Sequence, residues 1–217
     1  MLKSEIQKNK DDYRRFYENR TLDPSWMDNW QLMVEKIHIK KRSFVAKRIL
    51  NGHHESICDF GCGTAALNVI LKEKGYAGRL KGIDIHVSPT LERNSKEYDF
   101  DIQEVNFIDY QDCFEAIVFF SSLHFAHVSQ LDEIIKNMYS PHDIYIVEPF
   151  ITYLENMELN EKVLELTVGQ CQLHDEKALN ATFQKWNYIM RTKHIFPGEI
   201  DPMGRIFTFI HYSKDIS

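Results

Sequence analysis

An α/β fold organised on a mostly parallel sheet is predicted by three observations. From residue 56 onward, short apolar runs alternate with segments of helical periodicity. Parallel strands covered on both faces produce this pattern, because the crossover helices leave little of each strand in water. Second, Ile57-Cys58-Asp59-Phe60 runs into Gly61-Cys62-Gly63-Thr64-Ala65-Ala66, and the apolar-periodic Leu67, Val69, Ile70 and Leu71 follow. This is a strand, a tight loop and a helix; the glycines remove side chains where the backbone bends and nears a ligand, and N–H groups opening the helix face the same spot. Third, aromatic and β-branched runs at 188–196 and 205–212 flank a link holding Pro197, Gly198, Pro202 and Gly204. They predict a closing antiparallel hairpin.

The 217 residues, 43% of them hydrophobic, suit one α/β domain with a full core. The expected division is a helical cap or lid over 1–50 and a core over 51–217, with a helical insertion at about 151–173. Mean hydropathy is −0.40, and no run approaches the ~20 apolar residues of a membrane span. The start Met1-Leu2-Lys3-Ser4-Glu5 lacks a signal-peptide apolar stretch, so a cytoplasmic protein without membrane contact is expected. Cys58, Cys62, Cys113 and Cys171 have no C-x-x-C spacing and suit reduced thiols. The net charge of −6 divides unevenly: residues 1–50 hold 12 Lys/Arg against 7 Asp/Glu, and the remainder 14 against 25. Lys36, Lys40, Lys41, Arg42, Lys47 and Arg48 form a basic run, but charges at helical spacing generally mark a solvated face, which disfavours nucleic-acid contact.

Taken in order, residues 3–19 form a polar helix with an aromatic edge of Tyr13, Phe16 and Tyr17. Ser25, with Asp28 three residues on, is expected to cap a second helix whose apolar positions run from Trp26 and Trp30 to Ile49 and Leu50, ended by Gly52. That helix covers one sheet face, and its aromatic start is a candidate lid. His53 and His54 are expected to face solvent. After the strand at 56–60 and helix at 65–75, further strands fall at 79–85, 101–107, 115–120 and 144–147. Helices lie between them, best marked at 128–139. Helices at 155–173 and 175–186 precede the hairpin, which brings the total to seven strands. The binding crevice belongs at the carboxyl ends of the parallel strands.

Two families share the central motif. G-x-G-x-x-[GA], with Asp84 placed 21 residues past Gly63, fits a dinucleotide site. The dinucleotide pattern keeps the residue before the loop apolar, whereas here Asp59 is acidic. Asp59-Phe60-Gly61-Cys62-Gly63-Thr64 resembles motif I of the class I S-adenosylmethionine-dependent methyltransferases. Val105-Asn106-Phe107-Ile108-Asp109-Tyr110 followed by Phe114-Glu115-Ala116-Ile117-Val118 resembles the family's "G-D-F-L-x-Y … F-D-x-I-x", and Ser121-Ser122-Leu123-His124-Phe125 its "S-x-L-H-H". The resemblance covers roughly 55–150 by motif and the tail by architecture. It implies a seven-stranded, mostly parallel Rossmann-like sheet with an antiparallel C-terminal hairpin and an N-terminal helical cap.

It also implies S-adenosylmethionine as cofactor, with S-adenosylhomocysteine as product. Asp59, Gly61, Cys62, Gly63 and Ala65 would surround the methionine end, Asp84 the ribose and Ile85 the adenine. Asn106 would face the adenine amino group, with Asp109 as the alternative, and the Phe107 N–H a ring nitrogen. Ser121 would offer its carbonyl to the methionine ammonium. Tyr17, ahead of Glu18 and Arg20, resembles the "Y-D-x-x-R" lid of small-molecule members, and Tyr13 is a second candidate for that duty. Ala65 stands where a third glycine is frequent, at a site that chiefly needs a small residue.

Methyl transfer from a sulfonium asks the protein to align an acceptor and, where needed, remove its proton. His124, beside the reacting end, and Glu148, at the end of a strand, are the candidate catalytic residues. Tyr13, Tyr17, Trp26, His124, Tyr153, Gln170 and His174 are the candidate acceptor contacts, for a small molecule carrying an oxygen, nitrogen or carbon nucleophile. An RNA or protein methyltransferase docking through the basic helix is the alternative enzyme, and a non-catalytic S-adenosylmethionine sensor or partner subunit is the alternative of another class. His124 and His127 supply two metal ligands without a clear third, so no metal is expected. The oligomeric state is not legible.

Overall fold

The computed structural model of the chain describes residues 24–126, 128–139, 141–150, 173–196 and 206–215, and the side chains of all of these but 24–31, 33–35 and 128. The strands are β1 (Ser56–Phe60), β2 (Arg79–Asp84), β3 (Asp101–Glu104), β4 (Ala116–Phe120), β5 (Asp143–Pro149), β6 (Tyr188–Phe196) and β7 (Phe207–Lys214). The helices are α1 (Pro24–Asn51), α2 (Ala66–Glu73), α3 (Pro89–Tyr98), α4 (Leu131–Asn137) and α5 (Glu176–Lys185), with 3₁₀ turns at Leu123–Phe125 and Val128–Gln130. All seven strands join one sheet in the order β3-β2-β1-β4-β5-β7-β6. Strands β1 to β5 pair in parallel, and β7 is antiparallel to both β5 and β6.

Burial follows from strand alternation. Ile57, Ala116, Val118, Phe120 and Val147 point to the face covered by α1, α2 and α3. Cys58, Phe60, Ile117, Phe119 and Ile146 point to the face covered by α4 and α5. Strand β4, Ala-Ile-Val-Phe-Phe, is buried along its whole length, as expected of a central parallel strand.

The length of α1 decides where its ends lie. Its 28 residues span about 42 Å, against about 17 to 23 Å for strands of this size. Val45, Ala46 and Ile49 are buried in the core. His38 packs on Phe120 and Phe207, with ring centroids 6.0 and 4.8 Å away. Phe120 ends β4, so α1 reaches the carboxyl edge of the sheet near His38, and residues 24–37 rise past that edge.

Several expectations change. The helix already includes Pro24 and Ser25, so Ser25 lies within the first turn and does not cap it; the fixed φ of proline suits a helix start. His54 does not face solvent but is buried, with Nε2 2.9 Å from the Tyr145 hydroxyl. The basic run is only partly a solvated face. Lys36, Lys40, Lys47 and Arg48 are exposed, but Lys41 is fully buried between the rings of Phe196 and Phe207, and Arg42 sits 4.8 Å from the Phe120 ring centroid. The third strand ends at Glu104, because Asn106 turns the chain by accepting from the Ile108 N–H at 3.1 Å. Helix α3 has a plain start signal: Ser88 Oγ accepts from the Leu91 N–H at 3.1 Å, and Pro89 follows. The helix expected at 3–19 lies outside the described residues, as does 155–172. No described helix is long and apolar enough to cross a membrane.

Candidate functional site

The carboxyl ends of β1, β2 and β4 converge on one loop. Gly61, Gly63 and Ala65 all have positive φ, at 69°, 61° and 59°, so the loop alternates between left-handed and ordinary backbone. Glycine adopts this freely. Ala65 is fully buried and stands in the left-handed region at an expense of about 1–2 kcal/mol. The site therefore needs a residue that is both small and left-handed. At Gly61 a side chain is excluded twice, since a Cβ there would lie 2.5 Å from Cβ of Ser122.

The loop is tied down from within. The Gly61 and Cys62 N–H groups donate to the Ile83 carbonyl at 2.8 and 3.0 Å, and the Ala65 N–H donates to the Cys62 carbonyl at 2.8 Å. Gly63 donates to Asp84 Oδ2 at 2.8 Å, and His86 to Oδ1 at 3.2 Å. These four loop donors are occupied, so the loop is not an open phosphate cradle of the kind its glycines first suggest. The Cys62 side chain packs toward Gly82, so that residue contributes backbone alone.

Asp84 stands where β2 ends. Burial pushes its carboxyl up to about 6, against the opposing pull of its backbone donors. Asp59 is 2% exposed and its Oδ1 has no hydrogen-bond partner. Burial pushes it up to about 7, eased by the positive charge of Arg42 and reinforced by Asp84. A buried carboxylate oxygen without a donor is unfavourable by itself and marks a place where a ligand can supply one. Thr64 Oγ1 and both amide atoms of Asn68 are likewise buried without partners on the same loop and helix.

Ile85, just past β2, leaves a large apolar side chain 60% exposed beside Asp84. Asn106 and Asp109 are both exposed on the next loop, and the Asn106 oxygen is engaged by Ile108. The Phe107 ring is buried against Phe60 and Phe119.

The loop after β4 is built around Glu148. That carboxylate is 1% exposed. Its Oε1 accepts from the Ser122 and Leu123 N–H groups, both at 2.6 Å, and its Oε2 lies 2.8 Å from Nδ1 of His124. The carboxylate favours a proton on Nδ1, which leaves the lone pair on Nε2. Ser121 holds φ at 56°, a strained conformation for serine of the kind kept at functional loops. Ser122 Oγ donates to the Phe60 carbonyl at 2.5 Å and so locks this loop to the glycine loop. His174 comes to the same place, its Nε2 donating to the Leu123 carbonyl at 3.0 Å, and burial lowers its pKa.

The structure thus brings Asp59, Gly61, Cys62, Gly63, Ala65, Asp84, Ile85, Asn106, Phe107, Ser121, His124, Glu148 and His174 to one edge. Trp26 is on the part of α1 beyond that edge, while Tyr13, Tyr17, Tyr153 and Gln170 lie outside the described residues. Sequence reasoning missed Ser122 and Arg42. The paired serines before Leu123 were a signal for the first, and nothing in a charge run singles out the second. Among the described residues no group of three or more His, Cys, Asp or Glu side chains is placed to hold a metal.

No family model and no curated protein matches the chain. Solved structures do. An O-methyltransferase family protein from Burkholderia thailandensis superposes with a TM-score of 0.73 over 98% of this chain and 71% of its own, at 10% identity. Magnesium protoporphyrin IX methyltransferase from Synechocystis PCC 6803, with bound S-adenosylhomocysteine, gives 0.65 over 94% and 93%, at 13% identity. A SAM-dependent methyltransferase from Methanosarcina mazei gives 0.61 over 78% and 97%, at 18% identity. The chain has the fold of the class I methyltransferases.

Proposed function

We propose that the protein transfers a methyl group from S-adenosylmethionine to a small-molecule acceptor and releases S-adenosylhomocysteine. One observation carries this assignment: the buried, unpartnered Oδ1 of Asp59 beside a glycine loop, at the carboxyl edge of a sheet shared with methyltransferases. A methionine ammonium is the donor that oxygen lacks. The residues also fit the rest of the cofactor. Asp84 keeps acceptor capacity beyond its two backbone donors and suits ribose hydroxyls. Exposed Ile85 suits the adenine face, and the Phe107 N–H, which makes no hydrogen bond among the described residues, suits a ring nitrogen.

When bound, the cofactor supplies a methyl group already activated on sulfonium, so the protein's share is positioning and, for a protonated acceptor, proton removal. His124 is assigned the second task. Glu148 holds its Nδ1 proton and fixes the ring, leaving Nε2 as the base. Glu148 therefore acts through His124 and the loop, and touches no reacting atom. The cap over 1–50, the insertion at 151–173 and the aromatic residues Tyr13, Tyr17, Trp26 and Tyr153 are assigned to enclosing the acceptor, with Gln170. That Lys41 and Arg42 turn inward supports a small-molecule acceptor over a nucleic acid. Incubation with methyl-labelled cofactor and panels of phenolic, amine and carboxylate acceptors tests this. Label should pass to one class; tight S-adenosylhomocysteine binding without transfer to any would make the protein a cofactor-binding subunit.

A further inference from the structure

Methyl transfer through His124 leaves a second imidazole on the same turn unexplained. His174, just before α5, is 3% exposed, and its Nε2 lies 3.0 Å from the Leu123 carbonyl. A carbonyl only accepts, so the ring proton is on Nε2. Burial is the largest influence on the ring and lowers its pKa; the carbonyls of Leu123 and Ala126 and the charge of Glu148 oppose burial, and His124 reinforces it. A neutral imidazole protonated on Nε2 carries a lone pair on Nδ1. Nδ1 of His174 is buried and has no hydrogen-bond partner among the described residues. Such an atom is unfavourable until a ligand brings it a donor.

The turn after β4 therefore meets two imidazoles of opposite tautomer. In His124 the Glu148 carboxylate keeps the proton on Nδ1 and frees Nε2. In His174 the Leu123 carbonyl keeps it on Nε2 and frees Nδ1. Both free atoms accept, neither donates, and the buried carboxylate of Glu148 stands beside them. The Phe125 ring lies 4.4 Å from that of His124, centroid to centroid, which suits a flat acceptor.

We propose that His174 determines acceptor specificity: its Nδ1 accepts a hydrogen bond from a second hydroxyl on the molecule whose first hydroxyl His124 deprotonates, so that dihydroxy aromatic compounds are methylated and carboxylates are not. This rests on the methyl transfer and the role of His124 assigned above. The acceptor oxygen bonds to the methyl carbon as its proton passes to Nε2 of His124, and the electron pair of the broken S–C bond stays on sulfur. The second hydroxyl keeps its proton and shares it with His174. An acceptor with one hydroxyl leaves Nδ1 buried and unpaired. A carboxylate brings no proton to either lone pair and sets its charge against Glu148.

Nitrogen NMR of the full chain, carrying isotope-labelled histidine and saturated with S-adenosylhomocysteine, tests this with catechol and benzoate as probes; loss of signals in H174Q assigns those of His174. At pH 7 the ring should be neutral and protonated on Nε2. Catechol should shift the Nδ1 resonance and benzoate should not. With methyl-labelled cofactor, kcat/KM should favour catechol over phenol by about 10- to 100-fold, the range of one hydrogen bond to a buried acceptor.

Two variants separate recognition from structure. The amide nitrogen of H174Q reaches the place of Nε2 and still donates to Leu123, but no acceptor remains at the place of Nδ1. Its KM for catechol should rise about tenfold or more with kcat within about twofold. H174N sets its amide oxygen near the place of Nδ1 and should keep the preference for catechol. A ring protonated on Nδ1, a resonance that catechol leaves unmoved, no transfer to catechol, transfer to benzoate ahead of it, or an unchanged catechol-to-phenol ratio in H174Q each overturns the proposal and leaves methyl transfer standing. A wild-type protein that ignores S-adenosylhomocysteine overturns the methyl-transfer assignment as well.

Discussion

Asp59 and Glu148 are both carboxylates buried at strand ends, and their surroundings treat them oppositely. Glu148 has three donors; Asp59 has an orphaned oxygen and a pKa of about 7. The folded state therefore binds the Asp59 proton more tightly than the unfolded chain does. Its contribution is fully present below the unfolded pKa near 4 and is lost as pH rises through about 7. Asp59→Asn, permanently neutral, should match wild type near pH 4 and exceed it by roughly 2–4 kcal/mol above pH 7. Urea unfolding across that range checks this, and a pH-independent difference would contradict it. The same substitution should weaken S-adenosylhomocysteine binding, the usual exchange of stability for function.

Glu148→Gln is the complementary residue test. The amide oxygen can still accept from Ser122 and Leu123, but the amide NH₂ would face Nδ1 of His124. The imidazole must then carry its proton on Nε2, and the base becomes a donor. Turnover should fall about 10²- to 10⁴-fold, the range for losing a general base. S-adenosylhomocysteine affinity, measured by calorimetry, should change little. If turnover survives in both E148Q and H124A, His124 is not the base.

At the scale of elements, α1 joins fold and site. Phe44 anchors it, stacking on His194 at 4.7 Å and meeting Phe196 and Phe209 edge-on at 5.5 and 5.3 Å. Phe44→Ala should cost about 2–3 kcal/mol, less than a fully buried phenylalanine because the ring is half-buried, and lower Tm by roughly 5–10 °C. A loss below about 0.5 kcal/mol would show that α1 is not fastened there. The parallel strands, the glycine loop and the hairpin were legible in the sequence because alternation, glycine spacing and turn residues are local signals. The direction of each basic side chain on α1 was not. Lys36, Lys40 and Lys47 face water while Lys41 and Arg42 meet Phe207 and Phe120, which are distant in sequence and brought near only by the sheet order. His54 was misread for the same reason, its partner Tyr145 being a strand away. Glu148 and His124 were legible as a pair of candidates but not as partners, since their bond joins the turn after β4 to the end of β5, 24 residues along the chain.

For the whole molecule, the sheet order β3-β2-β1-β4-β5-β7-β6 sets the carboxyl ends of β3, β2, β1 and β4 side by side, and the assigned cofactor contacts lie along that row, the methionine end at β1 and β4 and the ribose and adenine toward β2 and β3. The central claim is that this edge binds S-adenosylmethionine. Calorimetric titration of the full chain with S-adenosylhomocysteine, against NAD and against the Asp84→Ala variant, tests it most directly. One molecule should bind per chain, NAD should give no heat of binding, and D84A should weaken the complex by about tenfold or more, the effect of losing hydrogen bonds to a charged group. Binding of NAD in place of S-adenosylhomocysteine, or a D84A variant that binds as tightly as wild type, would contradict it.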